Sequence, residues 1–231
     1  MATNRRTSQS KKTQGAEPAS RKERERLARR KEIVRAARAV FAEKGFEHAT
    51  LEEIAERAEF GKGTVYNYFD SKETLFTAAM MDLFDDATRI GRAVCDPKVP
   101  AREVLAEYMR QTVAYFQANF DFCRMLMQEW VRPELEGRTC PMDELHARVQ
   151  AVAEPLAQFM KAAMRRKEIR RADPMVLAKM FIGMVHDYYI MNLAPPRPAG
   201  DIGTQVEMVV SVFFDGIAVP AGRSRTSLHD P

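Results

Sequence analysis

A chain of 231 residues that is 45% hydrophobic and 29% charged has room for one large or two small domains with a real buried core. Its longest charge-free run, ten positions at 111–120, is too short for a transmembrane helix. Three widely spaced cysteines (Cys95, Cys123, Cys140) argue against a disulfide framework or a zinc ribbon and for a reducing, cytoplasmic setting.

The net charge of +4 hides an asymmetry. Residues 1–30 hold ten Lys or Arg against three Glu, whereas the other 201 residues hold 26 bases against 29 acids. No apolar stretch follows the first charges, so the start does not read as a secretory signal. Residues 1–20 offer nothing to bury and are expected to form a disordered basic arm. Such an arm suits a polyanion, either nucleic acid or an anionic membrane, or serves as a solubilising tail.

Ser20 and Glu23 have capping-box spacing, so the first helix is expected from about Arg21 to Lys44, along Ile33, Ala37, Val40 and Phe41. Gly45 would close it as a left-handed cap. Thr50 and Glu53 repeat the capping spacing for a second, short helix with Ile54, Ala55 and Ala58 inside. Val65 and Phe69 form the inner face of a third. Two short helices joined by a tight turn, with the small Ala55 where they cross, match a helix-turn-helix. The N-terminal end of its second helix would enter the major groove and present Lys62, Gly63 and Thr64 to base edges.

The segment from Lys31 to Thr77 resembles the DNA-binding domain of the TetR family of transcriptional repressors. The resemblance rests on the Ala-Ala…Phe…Gly-Phe of the first helix, the Thr before the second, and the run Gly63-Thr64-Val65-Tyr66-x-Tyr68-Phe69…Ser71-Lys72-Glu73-x-Leu75. It implies phosphate contacts from Thr50, Tyr66, Tyr68 and Lys72, and groove-facing positions for Lys62, Gly63, Thr64 and Asn67. Phenol hydroxyls, an ammonium and a helix start are all suitable phosphate ligands. The two tyrosines could instead be rim residues, and the two lysines plain solvated charges. One departure stands in the turn, where Glu59 occupies a position that is usually Gly in the family; a positive φ there costs about 1 kcal/mol for a side chain. Gly61 is the other candidate to carry the turn. Residues 31–75 hold seven bases and nine acids, an odd balance for a DNA-binding surface, which gives the basic arm a job as a supplementary phosphate or minor-groove contact.

Beyond the motif, proline punctuation and helical stripes continue to about residue 218. The expected fold class is all-α, with an N-terminal three-helix helix-turn-helix domain (21–73) and a larger helical ligand-binding and dimerisation domain (74–218), about nine helices in total, then a disordered tail (219–231). The resemblance implies that the last two long helices pair across a homodimer, with Val185, Tyr189, Val206, Val210, Phe213 and Phe214 as candidate interface residues. These stripes also suit a monomer core. The middle helices are rich in Met and aromatic residues, which fit irregular apolar shapes. Met109, Phe116, Met125 and Trp130, with Met160, Phe181, Met184 and His186, are candidates to line an effector pocket; ordinary core packing is the competing reading for each. Pro155 inside its stripe is a candidate kink.

Enzyme chemistry finds no support. Glu52 with Glu53, and Asp85 with Asp86, are adjacent and diverge by about 100° on a helix. There is no phosphate loop, HExxH or GxSxG, the four histidines lack metal spacing, and nothing calls for a cofactor. The expectation is therefore a cytoplasmic repressor that binds double-stranded DNA as a homodimer and is released by a small, lipophilic effector, without a membrane partner. The alternative is a helical binding module whose basic arm meets an anionic membrane or RNA.

Overall fold

The computed structural model describes residues 20–130, 142–191 and 201–217. Among them are nine helices and no strand, as the all-α reading expects: α1 (Arg21–His48), α2 (Leu51–Arg57), α3 (Lys62–Tyr66), α4 (Lys72–Val94), α5 (Ala101–Ala118), α6 (Phe120–Trp130), α7 (Met142–Arg165), α8 (Pro174–Met191) and α9 (Ile202–Ile217). The expected disordered arm and tail fall, but for Ser20, outside the described residues.

Local signals start and stop the first helices. Ser20 Oγ accepts the Glu23 N–H at 3.2 Å, satisfying one orphan donor of α1. α1 then breaks at Gly45 (φ 75°, ψ 170°), a backbone that disfavours a side chain, and makes one more turn to His48. Thr50 and Glu53 form a reciprocal capping box on α2, and Ser71 with Thr74 forms another on α4.

Two buried clusters organise the chain. One joins Ile33, Ala37, Val40 and Phe41 of α1 to Ile54, Val65, Phe69, Leu75 and Phe76, and also takes in Phe122 and Met125 of α6. Its centre is aromatic: Phe41 and Phe76 meet edge to face at 5.2 Å, with Phe46 4.8 Å from Phe76. The other is built by α5, α7, α8 and α9 around Leu105, Met109, Leu156, Met160 and Phe181. α4 serves both, since Leu75 and Ala79 lie in the first while Val94 packs on the second. α4 crosses α7 at Gly91, where a Cβ would stand 3.3 Å from Pro155 and 3.6 Å from Tyr108. Pro155, the candidate kink in α7, thus packs against α4 at Gly91.

A polar junction links the clusters. The Arg38 guanidinium of α1, 11% exposed, donates to Asp82 at 2.9 Å and Asp86 at 3.2 Å on α4. It also donates to the Tyr115 hydroxyl at 2.9 Å on α5 and to Asn119 Oδ1 at 2.5 Å, and lies 5.5 Å from the Phe122 ring centre on α6. Tyr115 donates in turn to Asp86 at 2.6 Å. Burial works to raise the Asp86 carboxyl, but hydrogen bonds from Tyr115, Arg38 and Arg89 outweigh it and hold the group below the usual carboxylate range. Burial pushes the Tyr115 phenol well above its ordinary value, so it remains a donor.

Removing the guanidinium takes a cation from two carboxylates and leaves Asp86 with only Tyr115 and Arg89. Arg38→Ala is expected to lower unfolding stability by about 2–4 kcal/mol at pH 7, less than a fully buried pair because Asp82 is partly solvated. A carboxyl whose folded pKa is depressed contributes stability above its unfolded pKa and loses it as pH falls through the folded value. The gap between wild type and variant should therefore narrow below about pH 4 in urea titrations. An unchanged midpoint at pH 7, or a constant gap down to pH 3, contradicts this account of the junction.

Candidate nucleic-acid interface

The two-helix unit is held by its turn. After α2, Glu59 has φ 56°, so the non-Gly residue does occupy the left-handed region, while Gly61 (φ −64°) does not carry the turn. The Phe60 N–H donates to the Ala55 carbonyl at 2.9 Å and the Glu59 N–H to the Glu56 carbonyl at 3.1 Å. This is the Schellman pattern, and Phe60 packs onto the first core as its hydrophobic partner. Two hydrogen bonds and the packed Phe60 ring thus offset a left-handed penalty of about 1 kcal/mol.

Below the turn, Ile54 and Ala55 of α2 and Val65 of α3 are buried, fixing the rotation of α3. That rotation leaves Lys62 and Gly63 exposed and Thr64 half-buried at the first turn of α3, with Tyr66 and Asn67 exposed beyond it. Thr50, at the start of α2, is exposed as well. Lys62, Gly63 and Thr64 therefore form one outward edge, and Gly63 carries no side chain to hold a partner's backbone away.

Several bases of this unit are already engaged. Lys62 pairs with Glu52 of α2 and lies 5.7 Å from the Tyr66 ring centre. The Glu52 carboxyl is accordingly held below its ordinary value, first by its hydrogen bond from Lys62, and the Lys62 ammonium is raised by the same bond. Lys44 pairs with Glu53 at 2.5 Å, and Arg57 holds Glu43 through two bonds of 2.8 and 2.7 Å. Lys72 donates to the Glu47 carbonyl at 2.9 Å and lies 4.7 Å over the Phe46 ring, so it caps the end of α1 from the start of α4. Tyr68 is half-buried against the first core.

The candidate effector residues do not gather into one place. Met109, Met160 and Phe181 are fully buried in the second core, and Phe181 stacks 5.0 Å from Phe213. Met125 is instead buried in the first core, beside the helix-turn-helix. Phe116 lies 6.2 Å from His186, with Met184 half-buried nearby on α8. Desolvation lowers the His186 imidazole below its ordinary value, against an opposing pull from Asp187, which favours the neutral ring. The Trp130 side chain lies outside the described residues.

Of the candidate interface residues, Val185, Val206, Val210 and Phe213 are buried in the single chain, and Phe214 is half-buried with Arg102 5.8 Å over its ring. The four buried ones pack in the second core, and the Tyr189 side chain is outside the described residues. α8 is apolar on nearly every face and α9 keeps one polar stripe of Thr204, Glu207, Ser211 and Asp215, so an apolar stripe alone does not say which side is inward. The exposed large apolar residues of these helices are Val176 and Met180 on α8 and Ile202, Met208 and Val212 on α9, the last 67% exposed. None of them was among the interface candidates read from the sequence, and the Arg38 junction was not read from it either.

Among the described residues no helix is long and apolar enough to cross a membrane, and no group of three His, Cys, Asp or Glu could hold a metal ion. Comparison with known proteins adds the following. Residues 33–79 match the family described as bacterial regulatory proteins, tetR family. The chain is 28% identical over 214 residues to the HTH-type transcriptional regulator RutR of Escherichia coli, covering 88% of this chain and 92% of that one. It is 27% identical over 182 residues to the HTH-type transcriptional repressor AcnR of Corynebacterium diphtheriae, covering 78% and 89%. A crystal structure of a TetR-family transcriptional regulator from Mesorhizobium loti superposes with a TM-score of 0.65 at 21% identity, covering 84% of this chain and 98% of that one.

Freeing the paired lysine should strengthen contact with a polyanion. Glu52→Gln removes both the ion pair to Lys62 and a carboxylate beside the reading edge. Affinity for duplex DNA should rise about two- to fivefold in fluorescence anisotropy at low salt. An unchanged or weakened affinity would show that Lys62 does not meet the duplex.

Proposed function

We propose that this chain, which is similar to the TetR family over residues 33–79, is a DNA-binding transcriptional regulator that acts as a homodimeric repressor, released from a palindromic operator by a small, lipophilic effector. The observation that carries the reading is the outward edge Lys62-Gly63-Thr64 on a helix whose rotation is fixed by buried Val65 and by the turn at Glu59. A rigid helix with its first turn exposed suits the major groove, where an ammonium can meet guanine acceptors and a threonine methyl can meet thymine. Thr50, Tyr66 and Asn67 lie on exposed positions suited to backbone contacts at the flanks. Lys72 and Tyr68, tied to the end of α1 and to the core, serve mainly to position the unit.

A second copy is supported by the exposed residues Met180, Met208 and Val212 on the last two long helices, a face that water covers poorly. Two-fold pairing through α8 and α9 presents two reading edges, as a palindrome requires. The effector reading is supported by the apolar second core, and by Phe116 and His186 at its margin, where a neutral imidazole accepts or donates one hydrogen bond. An effector favouring one spacing of the two reading edges shifts the DNA-competent population. A cytoplasmic setting fits such a role.

Selection of duplexes from a random pool with the full-length chain tests the reading. A selected duplex should bind about 10³-fold more tightly than a scrambled one. Lys62→Ala with Thr64→Ala should abolish the difference, and Met208→Glu with Val212→Glu should give a monomer in sedimentation and lose tight operator binding. Equal affinity for all duplexes, or a dimer that survives both glutamates, would overturn the corresponding part.

A further inference from the structure

α1 begins far ahead of its own core. Every residue from Arg21 to Glu32 is exposed, and burial starts at Ile33. These three turns, about 18 Å long, carry seven bases and three acids. They contain good helix formers, a Ser20 cap and an Arg21–Glu25 pair at 2.8 Å, so the segment is helical without a surface beneath it.

The register shows what this helix presents. Ile33, Ala37 and Val40 form the face that α1 buries in the first core. Continued toward the N-terminus at the same three-to-four spacing, that face becomes Arg29, Arg26 and Lys22. One stripe is thus apolar where the helix-turn-helix covers it and basic where its residues stand exposed. Arg30, next to the stripe, stacks 5.0 Å over the ring of Phe69, just past the end of α3, so the basic row starts beside the reading unit. The unit itself is short of positive charge: seven bases face nine acids in residues 31–75, and Lys44, Arg57 and Lys62 already hold carboxylates.

We propose that Lys22, Arg26 and Arg29 form a second DNA-binding surface, a phosphate rail that lies along the duplex backbone flanking the bases read by α3. The inference rests on the reading that α3 meets duplex DNA. Charge complementarity selects the occupant: a row of long cations at about 5–6 Å spacing along a helix meets successive phosphates of a backbone running beside it. The rail supplies affinity without sequence preference, while the Lys62 edge supplies the preference.

The test uses the full-length chain, a selected 40-base-pair duplex and a scrambled duplex, titrated by fluorescence anisotropy across a salt series. The variant Lys22→Gln/Arg26→Gln/Arg29→Gln keeps Arg30 on Phe69 and keeps helix-forming residues. Each lost phosphate contact should flatten the slope of log K against log salt by about 0.9, or about 2.7 for each protomer. Affinity for both duplexes should fall, with their ratio preserved. The charge-conserving variant Arg26→Lys/Arg29→Lys should keep the wild-type slope, and circular dichroism reports whether helix is retained. If wild type discriminates the duplexes but the triple variant keeps its slope, the rail is overturned while the reading role of α3 stands. If wild type does not discriminate, the reading role itself fails. Binding to vesicles of anionic phospholipid that depends on the triple, with duplex slopes unchanged, would also overturn the rail and assign the row to a membrane surface.

Discussion

Arg38 is the constraint around which the helices are arranged. A guanidinium that is 11% exposed retains its charge, so the surrounding chain must supply acceptors in the right places. It does so from three other elements: Asp82 and Asp86 one turn apart on α4, Tyr115 near the end of α5, and Asn119 at the cap between α5 and α6. Because each acceptor reaches only a few ångströms, the rotations of α4, α5 and α6 about α1 are mutually fixed. Phe122 follows three residues after Asn119 and lies against the same guanidinium, which directs α6 into the groove beside α1.

That arrangement has a mechanical consequence. The core that orients the reading helix is closed from outside by Phe122 and Met125, two residues of a helix that continues from α5 of the other core. α4 makes the second connection, with Leu75 and Ala79 in one core and Gly91 wedged against Pro155 at the other. A ligand that shifts α5 relative to α7 must move α6, the end of α4, or both. Packed interfaces of this kind tend to switch between discrete arrangements more readily than they deform. The Arg38 junction sits where the two routes meet, and its bonds are what such a switch must rearrange.

Much of this was legible in the residues, and the dividing line is physical. Caps at Ser20 and Thr50 and a break at Gly45 follow from interactions within a few positions, and the structure has them, although α1 resumes for a turn after Gly45; the turn left open between Glu59 and Gly61 falls to Glu59. The outward edge of α3 was legible because Val65 and Phe69 dictate which side of the helix is inward. What local pattern misses is pairing across distance. Lys72 looks like a free cation until the Glu47 carbonyl, 25 positions away, is brought to it. Met125 looks like its methionine neighbours until α6 turns it toward the DNA-binding core. Val210 and Val212 are alike by sequence, yet one is fully buried and the other 67% exposed. For the junction a signal did exist: Asp82 and Asp86 share one face at a spacing of four, a pair obscured by the adjacent Asp85 and Asp86.

α6 belongs mechanically to the first core, although it follows on from α5 of the second. Native-state hydrogen exchange on the full-length protein tests it most directly, because amides that open together share an opening free energy. Residues 122–126 of α6 should exchange with the same opening free energy and denaturant dependence as residues 33–41 of α1, and differently from residues 104–109 of α5 and 156–160 of α7. If the α6 amides instead open with α5 and α7 while α1 remains protected, α6 is no part of the first core's cooperative unit and α4 alone joins the two cores.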